Sequence, residues 1–288
     1  MNGNPKQTIK LQVNKLKNLP ALPELSVRIL EAINNPDISI EKLADTLILS
    51  PSLVARLLGL ANSAYFGQSR QINDLRTAIV QVLGVELVKS LTMGIVLNVH
   101  FDAVRCKHFD TEYFWMRSLL TAVAGQKLAT RSALQNYSPS TVYTSGLLLS
   151  IGVLILAFLF PEDMDAIFER CRRQSLAVGE EISREFGMSH YQVGHHLLQK
   201  WHLATVYQSV IGQFDASTTI DDEMELVPLL KASQWISGLV LDNRAMDTDQ
   251  LARLANAASM PVESMVEVIE EMMANKQDIK KLASIMGS

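Results

Sequence analysis

The sequence contains little cysteine and almost no excess of charge. Its two cysteines, Cys106 and Cys171, stand far apart, without a CxxC pattern or a Cys/His cluster. This excludes a disulfide framework and a zinc knuckle and favours a reducing, cytoplasmic location. The 288 residues carry 26 basic and 30 acidic side chains, a net charge of −4. Because a nucleic-acid-binding protein usually carries a positive surface, we do not expect nucleic acid to be the partner.

The sequence also lacks a long, uninterrupted apolar segment. Its N-terminus, MNGNPKQTIKLQVNKLKN, has neither the apolar core nor the cleavage site of a secretory signal. The longest apolar run, 146–160 (GLLLSIGVLILAFLF), is shorter than the roughly 20 residues of a membrane-spanning helix. We therefore expect a helix buried on all sides inside a multi-helix core, and no membrane partner.

Helical periodicity dominates the chain and strand-like alternation is scarce, which predicts an all-α, multi-helix bundle. Ser, Asn and Asp residues before apolar periodic segments predict helix starts, because their side chains can accept hydrogen bonds from the first free amides. Such residues are Ser50, Ser189, Asp247 and either Asn73 or Asp74. The predicted helices include 24–34, 39–49, 51–62, 74–84, 86–99, 190–201 and 251–258.

Charge divides the chain into three parts. Residues 1–18 contain lysines and no acid, which indicates a basic N-terminal arm. From Asp215 onward acids outnumber bases by 13 to 6, so 215–288 is predicted to be an appended acidic helical segment, preceded by a loop over 215–222. Residues 19–214 remain as the main domain.

Several short motifs recur in order between these two ends. They are LPALP (19–23), Ser50-Pro51, LANSA (60–64), Phe66-Gly67, Ala78-Ile79 and Leu83-Gly84. In order and spacing they resemble the HDOD family, a non-catalytic offshoot of the HD-type metal-dependent phosphohydrolases, over about 19–214. The family commonly has Asp where Ser50 stands. The resemblance implies an N-terminal helical subdomain (19–100) packed on a degenerate HD-like helical subdomain (101–214).

The resemblance also implies that the metal ligands of an HD hydrolase are replaced. Such enzymes hold a divalent cation with imidazoles and carboxylates, which supply the N and O donors that the cation needs. The segment 146–154 (GLLLSIGVL) matches the family's GLLHDIGKL pattern, and a leucine side chain has no lone pair to donate. We therefore expect no catalytic residue, no metal and no cofactor. The replaced positions are Arg117, Leu149, Ser150, Gln213 and Phe214.

A vestigial pocket is a further expectation. His190 resembles a histidine retained from the superfamily, and with Arg117, Ser150 and Gln213 it could line a pocket for an anion or a small ligand. His195 and His202 would share a helix face only if the helix continued past Trp201. No acid accompanies these histidines, so packing and surface roles are favoured over metal binding.

Three function classes follow. The resemblance implies a non-enzymatic regulatory or scaffold module of bacterial signal transduction that binds other signalling proteins, or through a pocket a small ligand. The alternative is an HD-type phosphohydrolase acting on a nucleotide or cyclic dinucleotide. A weaker alternative is a DNA-binding regulator, suggested by the helix-turn-helix pattern of 39–62. In its second helix Arg56 is the only base, so few phosphate contacts would form.

Overall fold

The computed structural model describes residues 22–133, 137–215 and 226–288. Within these ranges the chain is helical and has no strand, which confirms the all-α prediction. The basic arm 1–18, the start of the LPALP motif (19–21) and nearly all of the predicted loop 215–222 lie outside the described residues.

The helices are joined mostly by short turns. A 3-10 turn (Ala64–Phe66) follows α3, and one α-helical turn (Leu75–Thr77) continues into a π-helix (Ala78–Leu83) before α4. In chain order the α-helices are α1 (Glu24–Asn34), α2 (Ile40–Leu47), α3 (Pro51–Ala61), α4 (Val85–His100), α5 (Thr111–Ala129), α6 (Pro139–Leu148), α7 (Ile151–Leu159), α8 (Pro161–Gln174), α9 (Val178–Phe186), α10 (His190–Lys200), α11 (Thr205–Gln213), α12 (Leu226–Asp242), α13 (Thr248–Ala257), α14 (Val262–Ala274) and α15 (Lys276–Gly287).

Side-chain caps start three of the four helices at which the sequence predicts a cap. Asp74 accepts a hydrogen bond from the Thr77 amide, and Ser189 forms a reciprocal capping box with Gln192. Asp247 accepts from the amides of residues 249 and 250. The predicted cap at Ser50 is wrong: its hydroxyl makes no capping bond and lies 3.4 Å from the Ser52 hydroxyl. Pro51 alone marks the start of α3, because its ring presets the helical φ angle.

The described residues form two compact units that interleave along the chain. The first unit contains 100–110 and 149–215, and the second contains Pro23–Val99, Thr111–Leu148 and 226–288. The sequence predicts divisions at 100/101 and 214/215 from motifs and charge. The two compact units of the structure are bounded at other positions. Residues 111–148 of the predicted HD-like part belong with the C-terminal helices, because α5 packs on α6, α12, α14 and α15.

The core of the second unit lies around α5. Trp115 on this helix is fully buried, and its Nε1 donates a hydrogen bond of 2.8 Å to Asn98 Oδ1 on α4. Met265 and Met272 of the C-terminal helices are also fully buried. The acidic C-terminal segment is therefore part of the core of this unit.

An ion cluster joins α14 to α5 at the surface of this core. The Glu271 carboxylate accepts hydrogen bonds from Lys127 Nζ (2.5 Å) and Arg131 Nη2 (2.6 Å). The bond from Lys127 lowers the pKa of Glu271 below its ordinary value, against the opposing effect of partial burial. Glu271 is 36% exposed, so solvent screens the cluster and its contribution stays modest.

We expect Glu271→Gln to lower the free energy of unfolding by about 1 kcal/mol near neutral pH. A lowered carboxyl pKa stabilises the fold above the ordinary value of 4.5, and this stabilisation is lost as the pH falls through the folded pKa. The difference between variant and wild type should therefore vanish in acid. Urea denaturation near neutral pH and in acid measures this difference in the free energy of unfolding. Glu270→Gln is the control, because Glu270 is exposed and has no ion pair among the described residues; an equal loss there would contradict the assignment.

The apolar run lies in a longer helical stretch than expected. Pro139–Leu159 has 21 residues, and its most apolar 18-residue window has a mean hydropathy of 2.2, so by length and composition it could cross a membrane. Two bent helix pairs of the described chain would also qualify if each were one span. The prediction that the run is too short is wrong, because α6 begins upstream at Pro139 and continues through the turn at Leu149 and Ser150 into α7. The burial prediction agrees with the structure, in which 78% of the most apolar window is buried.

Candidate functional site

The two residues at the predicted His-Asp positions lie in the turn between α6 and α7. Leu149 is only 1% exposed, whereas Ser150 is half-buried and its hydroxyl does not cap α7. The alkyl side chain of Leu149 offers no lone pair. The turn therefore presents one neutral hydroxyl where an HD hydrolase has an imidazole and a carboxylate, and a hydroxyl is a weak ligand for a divalent cation.

Two glycines let α7 and α10 cross at backbone contact. A Cβ atom at Gly152 would overlap the carbonyl oxygen of His190 and lie 3.0 Å from the Gly194 nitrogen. A Cβ atom at Gly194 would in turn lie 3.1 Å from the Ile151 side chain. This crossing sets the position of His190, the first residue of α10.

His190 is enclosed by the first unit. It is 7% exposed, and its ring centroid lies 3.9 Å from that of Tyr191, which lies 4.6 Å from that of Phe214. A Cβ atom on Gly179 would be 3.1 Å from the His190 Cε1 atom. His190 thus belongs to an aromatic layer that includes Phe214, one of the replaced ligand positions.

Gln213 precedes Phe214, is another of the replaced ligand positions, and ends α11. Its Oε1 atom is buried and has no hydrogen-bond partner among the described residues. A buried amide oxygen without a partner loses its hydration without replacement, which costs about 1 to 3 kcal/mol. Gln213 is therefore the member of the predicted pocket with a free acceptor inside the protein.

Arg117 lies on α5 in the second unit, whereas the other members of the predicted pocket lie in the first. Its backbone carbonyl accepts hydrogen bonds from Thr121 Oγ1 (2.9 Å) and Ser237 Oγ (3.1 Å). A common pocket of Arg117, Ser150, His190 and Gln213 stays a prediction.

Sequence reasoning missed a cleft of about 480 Å³ between α10 and α11. His195 Nδ1 lies 2.7 Å from the Gln208 carbonyl, and because a carbonyl can only accept, Nδ1 carries the proton. A Cβ atom on Gly212 would lie 2.7 Å from the same ring nitrogen. The imidazole therefore lies directly over Gly212 at the edge of the cleft, which Gln213 also lines.

The histidines of this region do not share one helix face. The α10 helix ends at Lys200, and His202 follows it with a left-handed φ of 51°. Among residues 22–133, 137–215 and 226–288 no group of three His, Cys, Asp or Glu side chains could hold a metal ion.

The cysteines are poor nucleophiles. Burial, assisted by the hydrogen bond from the thiol to Asp165, raises the pKa of Cys106 to about 12. Burial also raises the pKa of Cys171. Since the thiolate is the reactive form, neither side chain is activated near neutral pH.

The motifs and the fold agree with a family comparison. A family model described as the HDOD domain matches residues 19–216. This chain belongs to the HDOD family. A curated relative of the HDOD chain is an uncharacterized protein of Treponema pallidum (strain Nichols), 27% identical over 205 residues. The match covers 68% of this chain and 38% of the relative, so the chain spans less than two fifths of that protein's length.

Solved structures share the all-helical fold of this HDOD chain. One, from Shewanella amazonensis SB2B, is described as a candidate phosphohydrolase and is 22% identical. The comparison covers 96% of this chain and 97% of that chain, with a TM-score of 0.77. Another, from Marinobacter aquaeolei VT8, is described as a candidate signal transduction protein and is 20% identical. The comparison covers 100% of this chain and 67% of that chain, with a TM-score of 0.77. An HDOD domain protein of unknown function from Geobacter sulfurreducens is 20% identical, with a TM-score of 0.74 over 98% and 99%.

Proposed function

We propose that this HDOD chain is a non-enzymatic regulatory module of bacterial signal transduction that acts in the cytoplasm by binding other proteins. The observation that carries the proposal is the packing of Leu149 and Phe214, which are 1% and 5% exposed. At two positions where an HD hydrolase has ligands, this chain has apolar side chains inside its core. An apolar core side chain cannot hold the cation on which the hydrolase mechanism depends.

A solved neighbour supports the signalling part of the proposal. The Marinobacter aquaeolei protein, whose name proposes signal transduction, shares the fold over the whole of this chain. The phosphohydrolase alternative has support of the same kind from the Shewanella amazonensis protein and from the retained His190. The regulatory function is favoured because Leu149 and Phe214 supply no metal donor at two of the ligand positions.

An exposed apolar surface of the second unit could receive a partner. Ile48 follows α2, and Val80 on the π-helix is 63% exposed. Arg76, four residues before Val80, forms an ion pair of 3.5 Å with Asp45, three residues before Ile48. This pair joins the segment that carries Ile48 to the segment that carries Val80, and exposed apolar residues on one surface often mark protein contact sites.

We expect Ile48→Glu or Val80→Glu to reduce partner binding at least about tenfold, because a charge placed in an apolar contact is desolvated without a counter-charge. The measurement is the yield of a cross-link from a benzoyl-phenylalanine at position 49 in cells, with the captured proteins identified by mass spectrometry. Val104→Glu is the matched control, since Val104 is an exposed apolar residue of the first unit.

Three outcomes would overturn the proposal. The first is the capture of no signalling protein, and the second is an equal loss of yield with Val104→Glu. The third is Mn²⁺-dependent hydrolysis of bis(p-nitrophenyl) phosphate by the purified chain that is lost in His190→Ala. That result would establish the phosphohydrolase alternative.

DNA binding is disfavoured by the position of Arg56. Its Nη1 donates a hydrogen bond of 3.3 Å to the Met286 carbonyl on α15, and burial lowers the pKa of its guanidinium. The only base of α3 is therefore engaged within the protein. Few cations remain on this helix pair to neutralise phosphates.

A further inference from the structure

The second unit encloses an apolar pocket of about 90 Å³. Its walls come from α3, the 3-10 turn, α4, α5, α6 and α15, so it lies where the helices of the unit converge. Leucine, valine and phenylalanine side chains form most of the surface. The apolar residues that line the pocket are Leu60, Phe66, Leu87, Leu91, Val123 and Leu282.

This pocket opens into a larger cleft of about 330 Å³. Leu87, Gln126 and Tyr143 line both spaces, so they form the passage between them. Glu86, Ser90 and Ser140 line the cleft but not the inner pocket. The inner pocket is therefore mostly apolar and the cleft adds polar side chains, the usual pattern of a small-molecule site.

Three polar side chains from three different elements face the inner pocket without a hydrogen bond. They are Tyr65 from the 3-10 turn, Gln126 from α5 and Tyr143 from α6. Tyr143 is 5% exposed, whereas Tyr65 and Gln126 are half-buried. No side-chain hydrogen bond to another described residue engages these three groups. Their hydroxyl and amide groups are therefore available to bond a polar group of a molecule in the cavity.

The chemistry of these groups restricts what can bind. Burial raises the pKa of Tyr143 far above its ordinary value, and burial with the nearby Glu271 charge raises that of Tyr65. Both phenols therefore stay protonated and can donate to an acceptor oxygen. Glu86, which lines the cleft, is paired with Lys89, and Glu271 near Tyr65 is paired with Lys127 and Arg131. The described lining residues therefore offer no unpaired charge that would offset the desolvation of a charged ligand.

An irregular backbone borders the cleft. The π-helix ends at Leu83, and Gly84 follows with a φ of 76° and no atom within 4 Å of where its Cβ would be. Leu83 and Gly84 both line the cleft. Insertions of π-helix are uncommon and occur often at functional sites.

We propose that this cavity binds a small neutral amphipathic molecule, with a short alkyl chain in the inner pocket and a carbonyl or hydroxyl head at Gln126 and Tyr143. The inner volume suits a chain of a few carbons, because an engineered cavity of about 150 Å³ holds a benzene ring. The site lies within the second unit and is independent of the replaced ligand positions. It gives the module a means to respond to a metabolite.

The test uses N-butylacetamide as the probe, titrated into the full chain with ¹³C-labelled leucine methyl groups. We expect shifts of the Leu60, Leu87, Leu91 and Leu282 methyl signals with a Kd of about 1 mM, reasonable for a probe of this size. Tyr143→Phe should weaken binding about tenfold, because it removes one hydrogen-bond donor. It should leave the unfolding midpoint unchanged, since that hydroxyl has no partner to lose.

Tyr113→Phe is the matched control, because Tyr113 is an exposed tyrosine on α5 outside the cavity. Gln126→Leu provides a second variant with the same expected loss of affinity. Pentanoate and butylammonium should bind at least about tenfold more weakly than the neutral probe. The proposal is overturned if the leucine signals do not move, which would mean that the cavity holds water only. It is also overturned if Tyr143→Phe and Gln126→Leu bind like wild type, or if a charged probe binds as tightly.

Discussion

Gly152→Ala is expected to destabilise the protein by about 3 kcal/mol or more, at the upper end of the range for overpacked cores. The added methyl would overlap the carbonyl oxygen of His190, and this oxygen belongs to the backbone of α10. A side chain can rotate away from a clash, whereas here the two helices would have to move apart. Such a separation would also open the aromatic layer of His190, Tyr191 and Phe214.

Urea denaturation followed by circular dichroism measures this effect. The matched control is Gly238→Ala on α12, where the added Cβ would meet no atom within 4 Å. This control should gain about 0.5 to 1 kcal/mol, because alanine has the higher helix propensity. A Gly152→Ala protein as stable as wild type would show that α7 and α10 do not cross at backbone contact.

Trp115→Ala should lower the free energy of unfolding by about 3 to 5 kcal/mol, the range found for large buried aromatic residues. Its ring is fully buried where α4, α5 and α15 meet: Cβ atoms on Gly94 and Gly287 would lie 3.2 Å and 3.5 Å from it. The substitution would leave a cavity and remove the donor to Asn98 Oδ1. The buried amide of Asn98 would then lack its partner.

Equilibrium unfolding of Trp115→Ala can be compared with Val99→Ala, which truncates an exposed side chain on α4. We expect the control to stay within about 0.5 kcal/mol of wild type. Similar losses in the two variants would contradict a core centred on α5. A loss confined to Trp115→Ala would support a core centred on α5, of which α15 forms one wall.

Helix positions were largely predictable because their signals are local. The apolar stripe and the Pro36 stop predict a helix over 24–34, and α1 has these bounds. Ser189 caps its helix as expected, and of the two candidates Asn73 and Asp74 it is Asp74 that caps. Ser50 shows the limit, since its residue type suits a cap but its hydroxyl points to Ser52. A side-chain rotamer depends on surroundings that a local pattern does not contain.

The candidate site was predictable only in its chemistry. The identities of Leu149 and Phe214 are enough to show that these positions lack metal donors. The cleft beside His195 was not predictable, because His195 and Gln208 are 13 positions apart and meet only through the packing of α10 on α11. For the same reason no sequence signal links Tyr65, Gln126 and Tyr143.

Residue identity and local periodicity alone establish the all-helical class, the HDOD motifs and the missing metal donors, since each depends on side chains close together in the chain. Packing determines which helices share a core: α5 and α6 join the C-terminal helices, against the divisions that charge and motifs indicate. Such groupings arise from many weak contacts between distant segments, and each contact contributes only about 0.1 to 0.2 kcal/mol. No short stretch of sequence contains that sum, so the apolar cavity of the second unit becomes visible only in the folded chain.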